Sequence, residues 1–269
     1  MHADSSDFLL FGPLTASCAG RPVRCGGKTE RAVLATLLLH PGRPVDVDTM
    51  AQWVWPLSRR PADPCHAIQT HIMRLRRHLG RDAVATDGHG YHTTNRRDQV
   101  DVHRFEFAVH QAENQHRRGQ TDEAIESYTY ALQVAGSGTP LPDLTRTPAG
   151  RGRQAELAEA RLNAQEQLAI LQFIQGRPNV GELERLALME PFREMRWIVL
   201  IHALCGAARH VEALRFCHYA AVQLKTVGLT PSRGLQEIEQ LVLNRDEGLG
   251  SPTAIRELTT ASGPGLGPN

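Results

Sequence analysis

The sequence predicts a mainly α protein, with a small α+β unit first and an all-α unit after it. Three observations carry this prediction. Strand-like stretches stand at 8–25 and again near 84–93, and three helical patterns lie between them. The third of those patterns, CHAIQTHIMRLRRHLG, is strongly basic. From about Asp101 onward, one helical pattern follows another across glycine-containing breaks.

In chain order, FLLFGPL and RPVRC read as short strands on either side of a turn at Ala19-Gly20-Arg21. KTERAVLATLLLHPG then gives a helical stripe of Val33, Leu34, Leu37 and Leu38, closed by Pro41-Gly42. In VDVDTMAQWVWP either Asp46 or Asp48 can cap a second helix, with Met50, Val54 and Trp53 facing inward. The basic helix follows. Its apolar residues Ile68, Ile72, Leu75 and Leu79 share one side, between start signals at Asp63 and Pro64 and a stop at Gly80.

At about 100° per residue, Thr70, Arg74 and Arg77 fall opposite that stripe. No acidic residue lies between Asp63 and Asp82, whereas Arg74, Arg76, Arg77 and Arg81 cluster there. The segment alone leaves two readings open: a solvated basic face, or a face made for a nucleic-acid groove. AVATDGHGYHTT completes the unit as two strands around Gly88 and Gly90, anchored by Val84 and Tyr91. Strands, two helices, a basic helix and a hairpin make a winged helix-turn-helix, in which the third helix reads DNA and the hairpin is the wing.

Beyond Asp101 the helical stretches include VHRFEFAVHQAENQHRRG, DEAIESYTYALQVAG and HVEALRFCHYAAVQLKTVG. Glu123-Ala124, Tyr130 and Ala131 recur as Glu212-Ala213, Tyr219 and Ala220 at one constant offset. Small residues at fixed helical spacing let paired helices approach closely, as in tetratricopeptide-like repeats. An Ala-rich bundle that matches itself by coincidence is the alternative. The expected organisation is a winged-helix domain at 1–97, a helical domain at 98–246 and a disordered Gly/Pro/Ser/Thr-rich tail at 247–269.

Composition narrows the chemistry. The formal net charge of +1 is uninformative, but the basic cluster lies early and acidic residues recur later. No apolar run reaches membrane-spanning length, and MHADSSDF lacks the pattern of a secretory signal. Cys18, Cys25, Cys65, Cys205 and Cys217 are scattered without zinc-ligand spacing, which suits reduced thiols in a cytoplasmic protein. Thirteen histidines form no HExxH or His/Cys set, so no metal is expected. No GxSxG is present, and GGKT at 26–29 has Pro22 where a phosphate-binding loop needs glycine. No catalytic residues and no cofactor are expected. Lys28 reads either as a phosphate contact at the first helix or as a solvated side chain. Trp197, Phe192 and Met195 near Pro191 line a pocket or, more simply, pack in a core.

These stretches, taken in order, resemble the SARP family (Streptomyces antibiotic regulatory proteins) in its small form. GPLTASCAGRPVRCGGKTERAVLATLLLHPGRPVDVDTMAQWVW is similar to the family's opening strands and first two helices. HAIQTHIMRLRRHLG and GHGYHT are similar to its recognition helix and wing, and VDVHRFE to its domain junction. The resemblance implies an OmpR-type winged helix followed by a bacterial transcriptional activation domain. It also implies a transcriptional activator that binds direct repeats in double-stranded promoter DNA as a side-by-side homodimer. Such a protein recruits RNA polymerase through its sigma factor and alpha subunit and serves antibiotic or other secondary-metabolite genes.

Carried over by position, Thr70 and Arg74 match base-contacting residues, and His71, Arg76 and Arg77 match phosphate or groove-edge residues. Arg81, Lys28, His89 and Tyr91 complete the candidate DNA-binding set. Arg76 lies on the flank of the helical wheel, which favours a backbone contact. There are departures. Asp87 stands where related wings carry arginine, with His89 a weaker substitute, and Met73 replaces a usually polar or basic residue. Ala208 replaces a family glycine. The competing function is a tetratricopeptide-type interaction scaffold whose winged helix no longer binds DNA, and the intact arginine cluster argues against it. An RNA-binding role lacks an aromatic stacking platform.

Overall fold

A computed structural model describes residues 6–255, save 89, 247 and 252. The chain forms two compact units that divide after Ala164.

The first unit opens with an antiparallel sheet of β1 (Ser6–Leu9), β2 (Thr15–Cys18) and β3 (Arg21–Val23). Sequence reading missed β2, because TASC carries no run of apolar or β-branched residues. The predicted turn is there, with Ala19 and Gly20 both at positive φ, as a two-residue hairpin requires. Three helices follow: α1 (Lys28–Leu38), α2 (Val47–Val54) and α3 (Pro64–Leu79). Val33, Leu37, Met50, Ile68, Ile72 and Leu75 are fully buried, so the stripes read from the sequence form the core.

Asp46, not Asp48, caps α2, its carboxylate accepting from Thr49 N at 2.8 Å. Trp53 is only half-buried, with its ring edge-on to His40. The wing is β4 (Val84–Asp87) paired with β5 (Gly90–Thr93). Two backbone bonds between Val45 and Tyr91 hold it to the chain ahead of α2. A side chain at position 90 would collide with the Val45 carbonyl, so glycine is required there.

The same unit continues through α4 (Asp101–Arg117), α5 (Thr121–Ala135) and the first part of α6 (Pro148–Ile174). The expected boundary at 97/98 therefore lies inside one compact unit, and two carboxylates explain why. Asp101 accepts from Leu10 N at 2.8 Å, Phe11 N at 2.9 Å and Val102 N at 2.7 Å. Asp143 accepts from Leu14 N and from Arg31 Nε, both at 2.8 Å. The bend between β1 and β2 is thus held by side chains far along the sequence.

The second unit contains the end of α6, α7 (Val180–Met189), α8 (Glu194–Gly206), α9 (His210–Thr226) and α10 (Arg233–Leu243). Trp197 is fully buried, donates from Nε1 to the Pro191 carbonyl at 2.8 Å and stacks near Phe216 and Tyr219. It is a core residue, not a pocket wall. Leu249 and Ile255 are also buried in this core, which corrects the expected disorder at 248–251 and 253–255. The remainder of that tail, residues 256–269, lies outside the described residues.

The internal echo has a structural counterpart. Ala124 and Ala131 on α5, and Ala213 and Ala220 on α9, are all fully buried, while Tyr130 and Tyr219 are exposed in both. The repeat extends to the turns. Gly119 has φ 75° before α5, and Ala208 has φ 59° before α9. A left-handed conformation costs alanine about 1–2 kcal/mol, partly offset by the extra freedom glycine has when unfolded. Ala208→Gly is therefore expected to stabilise the second unit by roughly 0.5–1 kcal/mol, read as a raised Tm. An unchanged or lowered Tm would contradict the strain assigned to this turn.

Candidate nucleic-acid interface

The candidate interface is built on α3. Asp63 caps it through His66 N at 2.9 Å, and Pro64 occupies its first turn, where no backbone donor is needed. With Ile68, Ile72 and Leu75 buried, the opposite side faces outward. Thr70, Met73 and Arg77 lie along its centre. His71 and Arg74 lie toward α1, and Gln69 and Arg76 toward the wing.

The two flanks are engaged within the protein. On the α1 side, Glu30 Oε1 accepts from Arg74 Nη1 at 3.0 Å and meets His71 Nδ1 at 3.1 Å. Its other oxygen accepts from Gly27 N at 3.1 Å and closes the start of α1. Burial opposes the charge on Glu30, but the Arg74 bond, backbone donation and the His71 contact overcome it and hold the carboxyl at about 2. Arg74, matched to a base-contacting position by the resemblance, thus has a carboxylate partner on α1. His71 is mostly buried between Glu30 and Trp55, not spread over the surface.

On the wing side, Arg76 donates from Nε to the Val84 carbonyl at 2.9 Å and from Nη2 to Thr86 Oγ1 at 2.8 Å. Arg76 therefore pins the wing to α3, a use that its flank position allows and that the sequence did not reveal. Thr70 bonds back to the His66 carbonyl at 3.0 Å through its hydroxyl, which leaves the oxygen's other lone pair outward.

Arg77 and Arg81 are exposed and make no ion pair among the described residues. They border a groove between α3 and the wing that is also lined by Gln69, Ile72, Met73, Arg76 and Tyr91. Lys28 is exposed on the first turn of α1. Asp87 is exposed at the end of β4, and His89 lies outside the described residues. Of the expected contact residues, the structure thus brings Arg76, Arg77, Arg81 and Tyr91 together around one groove. It adds Gln69, which sequence reasoning missed, and Met73, noted there only as a departure, although 69, 73 and 77 follow one another at a spacing of four.

A winged helix with a cationic third helix, continued by paired helices, defines a transcriptional regulator of the OmpR-type class. Residues 20–93 match the family "Transcriptional regulatory protein, C terminal", and residues 100–243 match the "Bacterial transcriptional activator domain". The chain belongs to the SARP family of transcriptional regulators. It is similar to the regulatory protein AfsR of Streptomyces griseus, with 27% identity over 255 residues, 93% of this chain and 26% of that one. It is 32% identical to the transcriptional regulatory protein MoaR1 of Mycobacterium tuberculosis over 204 residues, 72% of this chain and 65% of that one. The structure of Mycobacterium tuberculosis EmbR in complex with a low-affinity phosphopeptide superposes with a TM-score of 0.85 at 26% identity. That match covers 97% of this chain and 70% of EmbR. The chain thus spans only about a quarter of its AfsR relative. No helix among the described residues is long and apolar enough to cross a membrane.

Proposed function

We propose that the chain is a sequence-specific DNA-binding transcriptional activator that lays α3 in the major groove of promoter DNA. The observation that carries this reading is the free cationic face: Arg77 and Arg81 stand exposed beside a groove, with no carboxylate among the described residues to neutralise them. Phosphates are the partners such a face suits. Lys28, at the start of α1, is placed to add a further phosphate contact. The wing presents Asp87, so it makes a poor minor-groove probe and serves to brace α3 through Arg76.

In this reading two copies bind direct repeats side by side, the helical half contacts RNA polymerase at its sigma factor and alpha subunit, and the regulated genes serve secondary metabolism. The protein works in the cytoplasm, on the nucleoid. Footprinting of the full chain on the promoters flanking its own locus tests this. Two protected tandem sites about one helical turn apart are expected. Uniform protection without preferred sites would exclude sequence-specific reading and favour the interaction-scaffold alternative.

A further inference from the structure

We infer that Gln69 and Met73 determine which bases this protein selects, Met73 by seating a thymine methyl and Gln69 by bonding an adenine. This rests on the DNA-binding reading above and specifies its target.

Met73 is 56% exposed at the middle of the outward face of α3, where the surrounding side chains are polar or basic. A thioether held in water gains nothing from burial, and Met73 is not part of the buried stripe. It lines the same groove as Gln69, Arg77 and Tyr91. The main apolar group a major groove offers a side chain is the C5-methyl of thymine. Gln69, one turn earlier and exposed, carries a donor and an acceptor in the arrangement that matches adenine N6 and N7. Among the described residues its side chain makes only a weak bond to Cys65 Sγ at 3.5 Å, which DNA can replace.

The competing readers are already engaged. Arg74 is tied to Glu30, and Arg76 to Val84 and Thr86. Four residues advance a helix by about 6 Å, close to two base steps of ~3.4 Å, so the adenine and the thymine are expected about two steps apart. Arg77, four residues further on, then falls toward the backbone.

The test begins with selection of sites from a random duplex pool by the full chain. Each thymine of the selected half-site is then replaced singly by deoxyuridine, which lacks only the methyl. One position is expected to lose affinity about threefold to fivefold, the scale of one buried methyl. Met73→Ala should remove that sensitivity, while Met73→Leu should keep most of it. Gln69→Ala should relax the adenine preference at one position about two steps away. The salt dependence should stay unchanged in all three variants, since no phosphate contact is altered. A selected site that tolerates every deoxyuridine, or a sensitivity that survives Met73→Ala, would overturn this assignment while leaving DNA binding intact. No enrichment from the pool would instead overturn the DNA-binding reading itself, and the assignment with it.

Discussion

Asp101→Ala is expected to destabilise the first unit by on the order of 4 kcal/mol, because three backbone donors, two buried and one partly buried, lose their acceptor together. The carboxylate is 1% exposed and binds Leu10 N, Phe11 N and Val102 N. Each unpaired buried N–H costs about 1–3 kcal/mol, and the methyl that replaces the carboxylate satisfies none of them. A loss of that size is a large fraction of an ordinary domain's stability of about 5–15 kcal/mol. Asp101→Asn should recover only part of it, since one of its two terminal atoms becomes a donor facing donors. Chemical denaturation of the full chain, followed at the first unit, measures this. A loss under about 1 kcal/mol for Asp101→Ala would mean that the β1–β2 bend is held by something other than this residue.

Glu30 carries the second large effect. Its carboxyl is held at about 2 against an ordinary value of 4.5. A folded-state value below the unfolded one means that the unfolded chain binds the proton more readily. The stabilisation is therefore complete above pH ~4.5 and is lost as pH falls toward ~2. At about 1.4 kcal/mol per unit, the Glu30 contribution is on the order of 3 kcal/mol. Glu30→Gln should remove most of it at neutral pH and flatten the acid dependence in that window. It should also free Arg74 and His71 from α1, and so weaken operator binding through a displaced α3. If Glu30→Gln keeps the wild-type acid profile, the Arg74–Glu30–His71 cluster is not what positions the helix.

Much of this fold could be read from periodicity and caps. Ile68, Ile72 and Leu75 are buried as their spacing requires, and Asp63 and Gly80 end α3 as predicted. The echo of Ala124 and Ala131 in Ala213 and Ala220 is visible in the sequence and marks the paired helices, where all four are fully buried. Long-range polar pairing was not legible. Glu30 and Arg74 are 44 residues apart, and Leu10 and Asp101 are 91 apart. No local period reports such pairs, so the basic cluster looked uniformly available when two of its four arginines, Arg74 and Arg76, are engaged. For the same reason a fragment cut at 97 omits Asp101 and Asp143, which the winged helix needs to hold its first strands. The tail was misjudged from composition: its glycine and proline content hid Leu249 and Ile255, both of which pack into the second unit.

In the proposed reading, the free face of α3 together with Arg81 just beyond it, and not the paired flanks, grips DNA. The salt dependence of binding to the selected site tests it most directly, for the full chain and for Arg77→Ala, Arg81→Ala and Arg233→Ala. Arg233 is exposed on α10, where it pairs with Glu237, and serves as the off-site control. Each of the first two variants should reduce the slope of log affinity against log salt by about 0.9, one phosphate contact, and Arg233→Ala should leave it unchanged. Slopes for Arg77→Ala and Arg81→Ala that match the wild type would contradict the account.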